Sequence, residues 1–181
     1  PSNAADAKGL LKAACRMDDP VIFMEHKGLY RQGFSATPEP DKDYILPFGK
    51  ANVVQEGNVL TILTWGAMVQ KSIEAVNKEN IDKGIVEIID LRTLNPLDKE
   101  TISKSIKKTG KVLVVHEDTL TNGPGAEIAA IIADRHFEDL DGPVKRVASA
   151  DSHIPYNWYL EDEVLIQTEN IQYVLKELLE Y

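Results

Sequence analysis

The sequence predicts an α/β fold of three layers (α/β/α), with helices on both faces of a mostly parallel sheet. Two β-branched runs, at residues 86–90 and 111–115, have no alternating polar positions. Strands of that composition are buried on both faces, as the central strands of parallel sheets are. Helical patterns follow both runs, the first after Asn95-Pro96 and the second at residues 126–137. Strand, helix, strand, turn and helix is the order typical of βαβ units.

Four further elements flank this central block, and together they predict one domain over residues 51–181. They are a strand at 59–65, a helix at 67–79, a strand at 144–148 and a closing helix at 169–179. In both helices the apolar residues recur at a spacing of three or four, which puts them on one face. Residues 151–166 show no sustained period, so we expect a loop-rich stretch there.

The first part of the chain does not fit the same domain. Residues 5–17 have apolar side chains at helical spacing, and residues 18–20 end that helix. Residues 21–24 are expected to form a short buried strand. A lone helix and strand cannot make a domain, so we interpret residues 1–30 as the end of a second α/β domain. Residues 31–50 contain three prolines and two glycines, which predicts a linker.

The composition argues against some classes of partner. Over 181 residues the formal net charge is −9, which works against nucleic acid because phosphate binding needs a basic surface. No apolar run approaches the length of a membrane span and the first residues lack a signal-peptide pattern, so we expect no membrane partner. The single cysteine, Cys15, excludes an internal disulfide and fits a reducing compartment. We expect the cytoplasm, or the mitochondrial matrix in a eukaryote.

Three stretches carry a resemblance to a known family. They are residues 90–98 (DLRTLNPLD), 105–118 (SIKKTGKVLVVHED) and 122–130 (NGPGAEIAA). The chain is similar there to the C-terminal domain of the transketolase superfamily. More narrowly, its whole length resembles the β-subunits of thiamine-diphosphate-dependent 2-oxo acid dehydrogenases. The family usually has two glycines where this chain has Asn122-Gly123, and asparagine tolerates a left-handed backbone, so we expect the turn to survive.

The resemblance implies a part of an enzyme. Such dehydrogenases decarboxylate a 2-oxo acid on thiamine diphosphate held with Mg²⁺, and they pass the acyl group to lipoamide. In the family, the carboxylate that contacts the cofactor lies upstream, in a pyrimidine-binding domain whose end residues 1–30 resemble. We therefore expect no catalytic and no cofactor-binding residue in this chain, which alone should be inactive. The implied partners are an α-subunit, or a fused α-half, and a second β-subunit.

The substrate and the role leave alternatives open. Leu29-Tyr30-Arg31 looks more like the branched-chain type, which acts on 3-methyl-2-oxobutanoate (2-oxoisovalerate) and related acids. A pyruvate dehydrogenase β-subunit is one alternative. A regulatory or interaction domain of the same fold, without a catalytic partner, is another. A sugar-phosphate enzyme of the transketolase type fits less well, because the acidic balance disfavours a phosphate site rich in Arg and Lys.

Three polar clusters could carry chemistry on residue type alone. Glu25 and His26 are adjacent on a predicted strand, so they would point to opposite faces and could not share a proton. His116 begins a His-Glu-Asp run at the end of a parallel strand, where α/β sheets place ligand crevices. No cysteine or second histidine completes a nucleophile or metal set near it, which favours packing and subunit contact. Residues 122–125 could seat an anion on free amides, but they match neither G-x-G-x-x-G nor a P-loop.

The run GLLKAACRMDDP, residues 9–20, resembles a structural monovalent-cation site of the family's β-subunits. The match implies that the backbone oxygens of Ala14 and Met17 and the side chain of Asp19 bind the ion. Carbonyls with one carboxylate suit a hard, singly charged cation such as K⁺. The remaining ligands would come from upstream residues.

The resemblance also implies a docking surface for a partner. The stretch at residues 150–156 fits the family pattern A-D-x-x-x-P-Y, in which the Asp and the terminal carboxylate face the subunit-binding domain of the lipoyl acyltransferase. Asp151 and Tyr181 are therefore the expected docking residues. If the strand at 144–148 leads to the edge that holds the C-terminus, the two carboxylates share one patch. Such a patch would suit an Arg or Lys pair on the partner.

Overall fold

The computed structural model describes all residues, 1–181, as five strands and six helices. The strands are β1 (Asn52–Gln55), β2 (Gly57–Thr64), β3 (Gly84–Asp90), β4 (Val112–Thr119) and β5 (Lys145–Ser149). The helices are α1 (Ala4–Ala14), α2 (Ala67–Lys78), α3 (Lys99–Thr109), α4 (Pro124–His136), α5 (Trp158–Val164) and α6 (Thr168–Glu180). None of these helices combines the length and the apolar character that crossing a membrane requires.

The five strands form one sheet in the order β1-β3-β2-β4-β5. The strands β3, β2, β4 and β5 are parallel neighbours, whereas β1 pairs antiparallel with β3. The sheet is therefore mostly parallel, as the sequence predicts. From β2 the chain moves first to β3 and then crosses to β4 on the other side of β2. The point at which the strand order reverses thus lies between β2 and β4.

Helices cover both faces of the sheet, which confirms the three-layer fold. On one face α2 and α6 complete a cluster of 14 buried apolar residues, and on the other α3 and α4 complete a cluster of 9. Along β4, Leu113 and Val115 belong to the first cluster, while Val112 and Val114 belong to the second. All four side chains are fully buried. Burial on both faces explains why this strand has no alternating polar positions.

Capping fixes the ends of α3. The Asp98 carboxylate accepts hydrogen bonds from the backbone N–H of Thr101 at 3.0 Å and of Ala51 at 2.9 Å. Burial acts to raise the pKa of Asp98, but these hydrogen bonds outweigh it and lower the pKa. Gly110 ends the helix in the left-handed conformation, with φ of 65°. Asp98 therefore begins α3 and also fastens the stretch that precedes β1.

Residues 21–24 are not the short buried strand that the sequence predicts. They pair with no strand, and Ile22 and Met24 are 90% and 77% exposed. The prediction rested on apolar content, but a buried strand also needs a neighbour for its backbone groups. The sheet has β1 and β5 at its edges and does not extend to this segment. The apolar side chains here form an exposed surface instead.

Two elements escaped the sequence prediction. Strand β1 has four residues at the edge of the sheet, with Val53 37% exposed, so it leaves no apolar signal. Helix α5 falls inside the stretch expected to be loop-rich, and none of its residues is buried. A helix without a buried face has no apolar period to detect.

Candidate functional site

The carboxyl ends of β2 and β4 meet where the strand order reverses, and open α/β sheets place their ligand crevices at such points. Here two aromatic rings fill that place. Trp65 follows β2 and His116 lies in β4, and their rings stack with centroids 5.4 Å apart and planes 5° apart. His116 is fully buried. The crevice is therefore occupied by the chain's own side chains.

The glycine turn at residues 122–125 lets α4 approach the His116 ring closely. A Cβ atom on Gly125 would lie 2.2 Å from Nε2 of His116, and one on Gly123 would lie 2.8 Å from the same ring. Neither would fit without a shift of the surrounding atoms. Asn122 takes φ of 60°, in keeping with the tolerance expected of asparagine. Packing explains the turn without a bound anion.

The buried position of His116 disfavours the charged form of its imidazole. Burial is the main reason that the pKa of His116 is lowered; the charge of Asp118 acts to raise it, and that of Arg146 lowers it further. Neither ring nitrogen has a hydrogen-bond partner. The surroundings of His116 therefore favour the packing interpretation.

His26 pairs with Glu117 rather than with its neighbour Glu25. The Nε2 atom of His26 lies 2.8 Å from Oε2 of Glu117, a residue of β4. Glu25 instead accepts a hydrogen bond of 2.7 Å from the Tyr30 hydroxyl. The His26–Glu117 contact joins residues 91 positions apart, so spacing along the chain could not reveal it. It fastens the segment before the linker onto the carboxyl edge of the sheet.

The His26–Glu117 pair has no companion that would make it a reactive site. The two side chains are 33% and 36% exposed, so water screens their attraction. No group of three or more His, Cys, Asp and Glu side chains in the chain could hold a metal ion. A nucleophile with its base needs a third group to orient the base, and this pair has none. The pair is therefore best described as a contact between two parts of the chain.

The motif at residues 90–98 binds helix α1 to the end of β3. The Arg92 guanidinium forms a bidentate ion pair with Asp6: Nε donates to Oδ2 at 2.7 Å and Nη2 donates to Oδ1 at 2.9 Å. Asp90 accepts a hydrogen bond from the Ser2 hydroxyl at 2.5 Å and one from the Arg92 N–H at 2.9 Å. We call these four residues, Ser2, Asp6, Asp90 and Arg92, the α1 clamp.

The three charged residues of the α1 clamp are almost completely removed from water. Asp90 is fully buried, and the side chains of Arg92 and Asp6 are 13% and 4% exposed. Burial raises the pKa of Asp90, although the hydrogen bonds from Ser2 and Arg92 act to lower it. In such a desolvated network, removing one member leaves another charge buried without a partner.

The rest of the motif holds the end of the linker. Thr93 accepts a hydrogen bond from the N–H of Gly49 at 3.0 Å and donates one to the Pro96 carbonyl at 2.8 Å. The Asn95–Pro96 peptide bond within this turn is cis. Together with Asp98, which binds the Ala51 N–H, these contacts join the N-terminal residues to the sheet. The motif that carries the family resemblance therefore has a structural role here.

The predicted cation ligands lie close together in sequence at the end of α1. The helix ends at Ala14, whose carbonyl accepts a hydrogen bond from the Met17 N–H at 3.1 Å. Met17 and Asp19 are both exposed. Because a carbonyl oxygen has two lone pairs, the Ala14 carbonyl can accept this bond and still bind a cation. Two carbonyls and one carboxylate fit K⁺ chemically, and the site stays a prediction.

The two predicted docking residues lie at opposite ends of β5. Asp151 follows the strand and accepts two hydrogen bonds from Thr121, from the backbone N–H at 2.8 Å and from the hydroxyl at 2.5 Å. Tyr181 packs beside Gly142, which precedes the strand: a Cβ atom on Gly142 would lie 3.0 Å from Cδ1 of Tyr181. The five residues of β5 span about 13 Å at the rise of an extended strand. The length of β5 therefore lies between Asp151 and the Tyr181 ring, and a patch shared by the two carboxylates stays a prediction.

Sequence reasoning missed the residues that make most of these contacts. Trp65 comes directly after β2 and Arg92 comes two residues after β3, at the edge where ligands and contacts concentrate, and that position is the available signal. Asp6 gave no signal, because its partner lies 86 positions away. Ser2 likewise meets Asp90 only through the fold, 88 positions along the chain.

Two comparisons identify what the fold is similar to. The family model described as "Transketolase, C-terminal domain" matches residues 49–171. A solved structure titled "Split gene transketolase, inactive beta4 tetramer" superposes with a TM-score of 0.77 at 24% identity, covering 99% of this chain and 56% of that one. At that identity the likeness concerns the fold alone.

Sequence relatives extend the likeness to the whole chain. The 2-oxoisovalerate dehydrogenase subunit beta of Bacillus subtilis is 42% identical over 182 residues, covering 100% of this chain and 55% of the relative. A pyruvate dehydrogenase E1 component subunit beta of Staphylococcus aureus is also 42% identical, with the same coverage. The mitochondrial pyruvate dehydrogenase E1 component subunit beta of Dictyostelium discoideum is 42% identical over 175 residues, covering 94% of this chain and 48% of the relative. The chain thus spans about half the length of these relatives.

Proposed function

The chain belongs to the transketolase C-terminal domain family, and from that premise we propose that it is the C-terminal part of the β-subunit of a 2-oxo acid dehydrogenase. The observation that carries the proposal is 42% identity to two kinds of such β-subunit along the whole chain. The complete enzyme would decarboxylate a 2-oxo acid oxidatively and transfer the acyl group to lipoamide.

Within that enzyme we assign this part a role in subunit contact rather than in chemistry. Thiamine diphosphate with Mg²⁺ would supply the electron sink of the reaction. The residues described here do not fit that cofactor, because Trp65 and His116 fill the crevice at the carboxyl edge of the sheet. Its binding is therefore assigned to upstream residues and to an α-subunit or a fused α-half.

Exposed apolar side chains support the role in subunit contact. One group lies at the end of α1 and beyond it, where Met17, Val21, Ile22 and Met24 are 39–90% exposed. A second group lies in and before α5, and it comprises Ile154, Tyr156, Trp158, Tyr159 and Leu160. Monomers rarely expose so many large apolar residues close together. An α-subunit and a second β-subunit are the partners that would cover them.

For the substrate we propose a branched-chain 2-oxo acid such as 3-methyl-2-oxobutanoate, with pyruvate as the alternative. Identity does not separate the two, since both kinds of relative are 42% identical. The feature that favours the branched-chain type is the Leu29-Tyr30-Arg31 stretch. In the structure Leu29 is buried and the Tyr30 hydroxyl binds Glu25, so this stretch shapes the segment before the linker.

The test is decarboxylation by the assembled enzyme. The complete β-subunit, purified with its α-subunit, should turn over 3-methyl-2-oxobutanoate faster than pyruvate at equal concentration. The 181-residue chain alone should neither decarboxylate these acids nor bind thiamine diphosphate in a calorimeter. Micromolar cofactor binding by the chain alone would overturn the assignment. A protein that neither binds an α-subunit nor turns over any 2-oxo acid would instead be the regulatory or interaction domain considered above.

Docking of the lipoyl acyltransferase is proposed at Asp151 and at the terminal carboxylate of Tyr181. The two lie at opposite ends of β5, so a subunit-binding domain that meets both must span at least the length of that strand, about 13 Å. Binding kinetics should show faster dissociation for Asp151→Ala and for a one-residue C-terminal extension. Unchanged dissociation in both would mean that the acyltransferase docks elsewhere.

A K⁺ ion is proposed at Ala14, Met17 and Asp19. A cation that binds only the folded state stabilises it by mass action. The melting temperature of the complete β-subunit should therefore rise with K⁺ concentration, and Asp19→Ala should remove most of that rise. Asp18→Ala, one residue away, is the control. Equal melting curves with and without K⁺ would exclude the site.

A further inference from the structure

We propose that Arg92 is a positioning residue that fixes helix α1 against the sheet and thereby sets the orientation of the upstream half of the subunit. The first part of this statement concerns contacts within the chain. The second part rests on the proposed function, in which residues upstream of α1 belong to the cofactor-binding half.

The bidentate contact between Arg92 and Asp6 fixes the relative orientation of the two side chains. Two parallel N–H···O bonds, of 2.7 and 2.9 Å, allow only one relative orientation of the guanidinium and the carboxylate. The side chains are 13% and 4% exposed, so little water competes for the bonds. A lysine would keep the charge but not the fork. Arginine is therefore required for orientation as well as for attraction.

The backbone at Arg92 is built to aim this side chain at α1. Arg92 has φ of 59°, a conformation that costs energy for a residue with a Cβ atom. The Asp90 carboxylate holds that conformation by accepting the Arg92 N–H at 2.9 Å. Glycine or asparagine would adopt the same turn more easily. The presence of arginine at this position is explained by its side-chain contact rather than by the turn.

The other polar side-chain contacts of α1 do not lead to the sheet. Lys8 donates to Glu39 and to the Pro40 carbonyl, both at the linker, at 3.0 and 2.7 Å. Lys12 binds the carbonyl of Lys42, also in the linker. Within α1 only Asp6, Gly9 and Leu10 are buried, so apolar contact is limited. The attachment of α1 to the strand domain therefore depends on the α1 clamp.

The consequence reaches beyond α1. The helix also ends at the predicted cation ligand Ala14, and Met17 follows three residues later, so the placement of α1 fixes that end too. In a complete subunit, a loose α1 would let the upstream half shift relative to the sheet. Cofactor affinity would then fall while the chemistry of correctly placed molecules stays the same.

The experiment uses the only cysteine of the chain, Cys15, which is exposed and lies at the end of α1. A nitroxide attached to Cys15 reports the mobility of the helix in its spectrum. Three variants are compared. Arg92→Asn keeps the turn but removes the guanidinium, and Arg92→Lys keeps the positive charge but not the bidentate contact. Asp6→Asn removes the charge of the partner. The matched control is Arg31→Asn, which removes an exposed arginine of the linker.

We expect a mobile spectral component in Arg92→Asn and Asp6→Asn, less of it in Arg92→Lys, and none in Arg31→Asn. A double variant that combines Asp6→Asn with Arg92→Asn should be no more mobile than either single variant, because both substitutions remove the same contact. Hydrogen exchange at the α1 amides should become about 100-fold faster in Arg92→Asn, since a buried ion pair is lost, while β4 stays protected.

Three results would overturn the proposal. One is an immobile label in Arg92→Asn. Another is full recovery in Arg92→Lys, which would mean that charge alone suffices. The third is loss of the cooperative unfolding of residues 51–181, which would make Arg92 a general stability residue. In the complete enzyme, Arg92→Asn should raise the KM for thiamine diphosphate with little change in kcat. The spin-label experiment needs no enzyme activity. It therefore still tests whether Arg92 fixes α1 against the sheet if the proposed reaction proves wrong.

Discussion

The two parts of this chain, residues 1–50 and 51–181, are held in place by different physics. The sheet domain has two apolar clusters, of 14 and 9 buried residues, on the two faces of one sheet. In residues 1–50 only five residues are buried, and they are Asp6, Gly9, Leu10, Leu29 and Ser35. That part is attached through polar contacts, chiefly the α1 clamp and the His26–Glu117 pair. The sheet domain should therefore be stable by itself, whereas the first part should open first.

The largest expected difference between the two parts follows from deleting apolar side chains. Leu113 is fully buried in the centre of the sheet, so Leu113→Ala should lower the free energy of unfolding by about 2–5 kcal/mol. Leu11 in α1 is 47% exposed, and Leu11→Ala should change it by less than about 0.5 kcal/mol. Urea unfolding followed by circular dichroism measures both. Equal costs would mean that α1 belongs to the same core.

Glycines in the two parts should respond in opposite directions. A Cβ atom on Gly125 would meet the His116 ring at 2.2 Å, so Gly125→Ala should destabilise the chain by about 1–3 kcal/mol. Nothing lies within 4 Å of the position that a Cβ atom would take on Gly33 in the linker. There, Gly33→Ala should be neutral or stabilising by up to about 1 kcal/mol. Thermal melting of the Gly125→Ala and Gly33→Ala variants checks this. If Gly125→Ala causes no loss of stability, the packing around the His116 ring is loose.

The buried imidazole should make the sheet domain sensitive to acid. The pKa of His116 is lowered by burial, so the folded state holds the neutral form while the unfolded state takes up a proton near its ordinary pKa. Stability is therefore lost as the pH falls below about 6.5, with a slope of at most about 1.4 kcal/mol per pH unit. Urea unfolding between pH 7.5 and about 5 should show a shallower slope in His116→Leu than in the wild type. Identical slopes would mean that His116 does not titrate on unfolding.

The smallest expected effect concerns the Asp90 carboxylate of the α1 clamp. Burial raises the pKa of Asp90, so its contribution to stability is present at low pH and is lost as the pH rises through the folded-state pKa. Asparagine would still accept the Arg92 N–H and could donate to Ser2. Asp90→Asn should therefore raise the free energy of unfolding at pH 7 by no more than about 1 kcal/mol. A marked loss of stability at that pH would show that the charge itself is required.

The same division explains what could be predicted from the sequence. Apolar period and composition predict β2 to β5 and the helices between them, because those elements bury complete faces. The same signal was wrong at residues 21–24, where apolar side chains are exposed and no strand forms. A pattern records that a segment is apolar but not what covers it.

For the candidate sites, the limit was distance along the chain. The sequence favours packing at the end of β4, in keeping with the buried His116, and it predicts that Asn122 tolerates the left-handed backbone it adopts. The partners of His26 and Arg92 were not found, since they lie 91 and 86 positions away. Whether Asp151 and Tyr181 share one patch stays a prediction, because it depends on the direction of β5, which only the assembled sheet defines.

Hydrogen exchange of the intact chain in low concentrations of urea tests the central claim most directly. The claim is that residues 51–181 unfold as a unit, while α1 detaches by breaking a few polar contacts. The account predicts that α1 amides exchange at least about 100-fold faster than those of β4. It also predicts that urea barely changes the α1 rate, because little surface is exposed when the helix opens. Equal rates for α1 and β4, with the same steep dependence on urea, would contradict the account.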